Sequence, residues 1–407
     1  MLKAQVHACK GRIDLAAWVG FILAMIALLV ISQKNLGVAM FVGALILGVA
    51  TVPQGVPWIL WSTVTDPSNL LLALIVGLIP LIGGILKTSG QMDNLVSNMR
   101  IGKKAFLMLS PALVGMLPMP GGALLSAPLI ERGGENISNE KKAGLNVWFR
   151  HVLYLVYPLA PALIVSTEVA QVDMYEAIPY LVPALFFSLF LGYVFFLRDA
   201  PGKMNYEQEF SLKNLLLPLA AILVAPLVDI LIKSFFAPKI KESATLLGVL
   251  FSLLIALAIG RASLKELRRT VVEARPWNFA LMIMGIMFFL DVFDGSGIPQ
   301  SIEGVYITRE ILFVAGFLLG FGTGRIITPA GIVFLVLRKF GAISLPTFAI
   351  MYFSIFLGYI ITPVHPCVSL SAESFKTGIK GYFKAVLPPT LIALVVSFLL
   401  LDTSFLL

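Results

Sequence analysis

Two stretches decide how this chain folds: YPLAPALIVSTE, Tyr157 to Glu168, and TPVHPCVSLSAE, Thr362 to Glu373. Pro158, Pro161, Ser166 and Glu168 of the first correspond to Pro363, Pro366, Ser371 and Glu373 of the second, all displaced by 205 residues. Each stretch lies in an apolar run that would otherwise read as one helix. A proline inside a helix removes a backbone donor and clashes with the preceding turn. Each run is therefore expected to be a span broken into two half-helices, and the repetition implies a repeated structure.

Working outward, Ser89-Gly90 lies 207 residues before Ser296-Gly297, and Pro120 in GMLPMPGG lies 209 before Pro329 in GRIITPAG. Small drifts of this kind are what changes in loop length produce. The apolar runs keep one order in both halves. The first half has spans near 13–32, 36–53 and 69–88, an interrupted pair near 105–131, a broken span near 147–171 and a span near 175–197. The second half has spans near 213–234, 243–260 and 277–294, an interrupted pair near 310–337, a broken span near 345–375 and a span near 383–402. The expected division is a first repeat over 1–200, a linker over 201–212 and a second repeat over 213–407.

The solvent these runs expect is lipid. The 407 residues are 58% hydrophobic and 13% charged, with a mean hydropathy of +0.94, which a soluble fold would have to display as large apolar patches. About 20 apolar residues cross the roughly 30 Å hydrocarbon core. Leu15–Ile31 is long enough to do so and is followed by no A-x-A cleavage site, so it reads as a helix that stays. The net charge of +8 comes from loop cations, not from an aromatic-interleaved face, so a nucleic-acid partner is not expected. Cys9 and Cys367 imply neither a disulfide framework nor a metal site. No HExxH or GxSxG motif is present, and the run Gly320 to Gly324 precedes no βαβ unit, so neither an enzyme nor a phosphate loop is indicated.

Phe106 to Arg132 contains Pro111, Pro118, Pro120, Gly121, Gly122 and Pro128, and it reads as a re-entrant hairpin whose half-helices meet near the membrane middle. The free backbone groups of such a tip must be met by protein or a water-filled cavity. GFGTGRIITPAG has the same character. If both hairpins enter and leave on one side, each half crosses the bilayer five times. The expected fold is thus all-α and integral to the membrane, with two inverted halves of five transmembrane helices plus one re-entrant hairpin each. On that topology nine loop cations share the side of the N-terminus and twenty lie opposite. Lys and Arg favour the cytoplasm, so both termini are expected outside the cytoplasmic membrane. Hairpin 1 then enters from the cytoplasm and hairpin 2 from outside.

The four interruptions are the candidate site. Half-helix N-termini suit anions, and carbonyls freed at tips and breaks suit Na⁺. Gly121, Gly122 and Gly331 allow close backbone approach, beside Pro120, Pro329 and the hydroxyls of Ser126, Thr323 and Thr328. Pro158, Pro161 and Thr362 shape the breaks. Arg325 reads as the one cation outside the loops, suited either to gripping a carboxylate bidentately or to capping the hairpin's own carbonyls. His365, where the first half has Ala160, suits a coupling proton, a substrate contact or a local backbone bond. Glu168 and Glu373 sit about 15 Å past the breaks, where snorkelling or gate pairing is expected. Asp229, Asp291 and Asp294 are further acids in apolar context; Asp229, flanked by Leu227, Val228, Ile230 and Leu231, is expected to face protein or a cavity, where cation coupling is one reading.

These features resemble the ion transporter superfamily, which includes divalent anion/sodium symporters, citrate and gluconate permeases and arsenite efflux proteins. Within it, LPMPGGALLSAP and ITPVHPCVSLSAES look closest to an uncharacterised prokaryotic ten-span family carrying a domain of unknown function. The resemblance implies tips at Met119–Ser126 and Thr323–Gly331 and broken-helix loops at Pro158–Pro161 and Thr362–Pro366. It also implies elevator-like alternating access and, commonly, a homodimer. The Ser-Asn-Thr tip signature of the dicarboxylate symporters is replaced here by Pro-Gly-Gly and Thr-Pro-Ala-Gly. The expected function is cation-coupled secondary transport of a small anionic organic solute, with Na⁺ or H⁺ as the coupling ion. A channel or uncoupled facilitator, and then a lipid-handling membrane enzyme, are the alternatives.

Overall fold

The computed structural model describes residues 15–118, 122–204, 206, 209–299 and 307–403. Among them there is no strand. In chain order the helices are α1 (Leu15–Ser32), α2 (Leu36–Thr51), α3 (Val56–Thr65), α4 (Pro67–Thr88), α5 (Gln91–Ser97), α6 (Lys103–Met116), α7 (Gly122–Gly133), α8 (Asn139–Val152), α9 (Pro161–Ala170) and α10 (Met174–Gly192). They continue as α11 (Leu212–Phe236), α12 (Glu242–Gly260), α13 (Leu264–Ala274), α14 (Pro276–Gly295), α15 (Arg309–Thr323), α16 (Ile327–Arg338), α17 (Leu345–Ile361), α18 (Pro366–Ser374) and α19 (Ile379–Thr403). Among the described residues seven helices are long and apolar enough to cross a membrane, and α17 and α18, bent by 42° at their break, pass the same test together. This is a multi-pass membrane protein.

Short polar residues set many of the helix starts. Asn35 accepts from the Val38 amide at 3.1 Å, and Asp66 accepts from the Asn69 amide at 3.0 Å with Pro67 in the first turn. Ser138, Asp173, Ser211 and Ser344 cap α8, α10, α11 and α17 in the same way, which satisfies amides that a helix leaves open. The starts of α9 and α18 differ. Their N-cap residues, Ala160 and His365, are extended, make no side-chain cap bond and precede a proline. The two helices begin inside the apolar interior as the duplicated Pro-x-x-Pro pattern predicts, and Ala160 and His365 hold equivalent backbone positions.

The helices pack as two bodies. One comprises α1–α5 and α11–α14, in which α1 packs on α2, α11 on α12, and α14 on both α2 and α4. The other comprises α6–α10 and α15–α19, in which α6 packs on α8, α15 on α17, and α19 on both α8 and α17. Among the described residues, the backbones of the two bodies approach each other only slightly, most at α1 against α16, and side chains such as Tyr157, whose hydroxyl donates to the Ile222 carbonyl at 3.0 Å, reach across. Within each body the halves of the chain exchange partners. α9 packs on α16 while α18 packs on α7, and α2 packs on α14 while α12 packs on α4.

Three expected boundaries move. The first hairpin arm begins at Lys103, before Phe106, and the broken span expected near 147–171 begins at Asn139. The span expected near 277–294 is extended at its start by α13, whose Ser263 and Glu266 form a capping box.

Candidate functional site

Arg150 corrects the reading of Arg325 as the only cation outside the loops. It lies on the last turn of α8, only 3% exposed. Two glycines make room for it. A Cβ on Gly122, the first residue of α7, would collide with Arg150 Nη2, and one on Gly115 of α6 would collide with the Arg150 carbonyl oxygen. The glycines of hairpin 1 thus admit an arginine of the protein itself. Its Nη1 is buried and has no hydrogen-bond partner, and among the described residues no carboxylate forms an ion pair with it.

Arg150, His151 and Tyr154 line a cavity of about 320 Å³ together with Pro118, Tyr359 and Cys367; Ala274 and Phe279 of the opposite body also line it. His365, 3% exposed, stacks on Tyr359 with ring centroids 4.1 Å apart and lies 4.8 Å from the His151 ring. The fold seats this loop through Gly324, whose φ of +62° favours glycine. A Cβ there would come within 3.0 Å of the His365 amide nitrogen. Hairpin 2 therefore packs its tip onto the second break, and hairpin 1 packs its arms onto Arg150.

The remaining predicted residues divide among other places. Pro120 and Gly121 lie outside the described residues. Ser126 donates to Asn146 Oδ1 at 2.6 Å, and Asn146 in turn donates to the Ala123 carbonyl at 3.1 Å and to Ser371 Oγ at 2.9 Å. That buried knot ties α7, α8 and α18 together, so Ser126 serves the packing. Thr323 donates to the Leu319 carbonyl at 2.7 Å, and Thr362 accepts from the Val364 amide at 3.2 Å. Thr328 is fully buried with an unpartnered hydroxyl. Pro329 is buried, and Gly331 lines a small apolar gap beside Met40, away from the polar cavity. Pro161 opens α9, and Pro158 lines a separate cavity of about 740 Å³ with Tyr175 and Lys233. Arg325 is half-buried with no ion-pair partner among the described residues.

The acids gather elsewhere. Glu168 and Asp291 line a cavity of about 480 Å³ with Lys233, Lys241, Glu242 and Arg338. Asp291 accepts from Thr63 Oγ1 at 2.5 Å, and Asp294 pairs with Arg338 at 3.4 Å. Glu373 is exposed on α18. Asp229 is fully buried, as its apolar flanks require. Phe279, at the Arg150 cavity, and Asp291, at the acidic one, are separated by about 18 Å along α14 at roughly 1.5 Å per residue. The two cavities occupy opposite ends of one helix.

The profile of the family described as "Protein of unknown function (DUF401)" matches residues 16–403. The chain belongs to this family. No curated protein matches it. Among solved structures, it resembles the Alcanivorax borkumensis YdaH transporter at 13% identity and a TM-score of 0.61, over 96% of this chain and 98% of that one. It also resembles Neisseria gonorrhoeae MtrF, described with a class of antimetabolite efflux pumps, at 14% identity and a TM-score of 0.50, over 86% of this chain and 83% of that one. These likenesses are likenesses of fold.

Proposed function

We propose that this DUF401 protein is a secondary active transporter of a small anionic organic solute, driven by Na⁺ or H⁺. The observation that carries this reading is the buried Arg150 guanidinium, left with an unpartnered Nη1 beside a cavity of about 320 Å³. A buried charge is costly unless paired, and a solute carboxylate supplies the missing partner through charge-assisted, bidentate bonds. The volume falls in the usual range of roughly 300–1,000 Å³ for small-molecule sites.

Alternating access fits the two-body packing, with the site between the bodies. The exchanged pairs α9 with α16 and α18 with α7 support an inverted repeat of ten crossings, and the loop-cation split supports external termini in the cytoplasmic membrane. A homodimer is the oligomer this reading takes from the resemblance.

The test is a thermal-shift screen of organic anions on the purified chain, with and without Na⁺ and at two pH values. A ligand that binds only the folded state raises apparent stability as its concentration passes its Kd. At least one carboxylate is expected to stabilise the wild type and to lose that effect in Arg150→Gln. Stabilisation that survives Arg150→Gln intact overturns the reading. Saturable flux in proteoliposomes that follows an imposed Na⁺ or H⁺ gradient separates a coupled carrier from a facilitator.

A further inference from the structure

We propose that His151, His365 and Cys367 form a three-ligand site for a zinc-class divalent cation, facing the Arg150 cavity. The inference goes beyond the transporter reading and does not depend on it. One donor atom from each of the three residues lies within 4.8 Å of the others. Tetrahedral zinc, with bonds of about 2.0–2.1 Å to nitrogen and 2.3 Å to sulfur, sets these ligands roughly 3.3–3.6 Å apart. The gap is closed by side-chain torsion of about an ångström.

The ring nitrogens are prepared for this. His151 Nδ1 lies 2.7 Å from the Val147 carbonyl oxygen, and as its donor it leaves the Nε2 lone pair free. A metal-binding histidine is usually oriented by such a bond from its other nitrogen. His365 Nδ1 is buried with no hydrogen-bond partner, so ligation breaks nothing and satisfies an orphaned atom. Cys367, a free thiol, lies beside Arg150 on the cavity wall, and it is the thiolate that binds metal. The donor set of one sulfur and two imidazoles selects zinc, cobalt or copper over Na⁺, Mg²⁺ or Ca²⁺.

Three protein ligands leave the fourth position open towards the cavity, as in metal sites that bind an exchangeable ligand. With the thiolate bound, the ion and Arg150 together carry two net positive charges. An anion bridging both is then held more tightly, and by linkage it tightens the metal.

The test uses cobalt(II) as the probe. The full-length protein in detergent is treated with a chelator, exchanged into clean buffer and titrated. One cobalt per chain is expected, with the d–d absorption of tetrahedral cobalt and a near-ultraviolet thiolate-to-cobalt band. Cys367→Ser is expected to lose the thiolate band and to bind at least tenfold more weakly. His151→Gln and His365→Gln are each expected to lower affinity at least tenfold while keeping the size-exclusion profile of the wild type. No tetrahedral spectrum in the wild type, or the same spectrum in the triple variant, overturns the site. Anion stabilisation is measured with chelator present, so loss of cobalt binding with anion binding intact sinks the metal site alone. Loss of anion binding with cobalt binding intact sinks the transporter reading alone.

Discussion

Two buried charges, one in each body of the protein, are treated in opposite ways. Asp229 on α11 is fully buried and accepts from Tyr175 Oη at 2.5 Å, Thr245 Oγ1 at 2.9 Å and Lys233 Nζ at 3.1 Å. Arg150 on α8 is nearly as buried and has an unpartnered Nη1. The first arrangement is complete without a ligand. The second is not, and the difference separates a charge that holds helices together from one that awaits a partner. Tyr175 makes the contrast sharper, because its bond to Asp229 crosses from α10 to α11 and so joins the two bodies.

Exchanging the roles of the two charges is the strongest way to break the comparison. Arg150→Gln is expected to weaken anion binding about a hundredfold, equivalent to roughly 2.7 kcal/mol and in line with the loss of charge-assisted bonds. The ligand-free protein should melt at the same or a higher temperature, because an incompletely paired buried charge has been removed. A fall in ligand-free melting temperature would mean that Arg150 is structural after all. Asp229→Asn should do the reverse. Removing one member of a buried network costs about 3–5 kcal/mol, and a loss of about 2 kcal/mol is expected here because the Lys233 side chain is 25% exposed. Anion affinity should stay within threefold. A calorimetric scan paired with a ligand titration reads both quantities on each variant.

The sequence made the breaks legible and hid the arginine, for one physical reason. A proline acts on its own helix, so Pro158, Pro161, Pro363 and Pro366 announce broken spans, and the structure starts α9 and α18 where they require. The equivalence of Ala160 and His365 is local in the same sense, since both are N-cap residues before a proline. Arg150 depends on distant chain. It is the fourth residue of the span expected near 147–171, close enough to the edge to be counted with loop cations. Its burial is set by Gly115 and Gly122 from two other helices. His151 escaped notice for the same reason, as did Asn146, whose partners come from α7 and α18. A count of charges at span edges against small residues in the preceding hairpin is the signal that would have found Arg150. The hydroxyls of Ser126 and Thr323 were legible as polar groups near the tips, but their partners were not.

A methyl group placed beside Arg150 tests the comparison more gently. Gly122→Ala puts a Cβ where Arg150 Nη2 now sits. The guanidinium is the far end of a flexible side chain and can move aside, so the fold should survive at a cost of about 1 kcal/mol. Anion affinity is expected to fall about tenfold, since displacement of a positioned donor by an ångström degrades bidentate geometry. Unchanged affinity would show that the guanidinium does not act from its present position.

The smallest effect is expected from the arginine that the sequence offered first. Arg325 is half-buried and lies next to Gly324, at the tip that packs on the His365 loop. It too has no ion-pair partner among the described residues. Its side chain is the more solvated of the two, and it does not line the cavity shared by Arg150, His151 and Cys367. A charge that keeps water gains less from a new anionic partner than one already stripped of it. Arg325→Gln is therefore expected to change anion affinity by less than threefold in the titration that registers a hundredfold loss for Arg150→Gln. A loss of tenfold or more would extend the binding site from the first hairpin to the tip of the second. The solute would then bridge two arginines, and the contrast between a paired and an unpaired charge would become one between a structural aspartate and a two-point anion clamp.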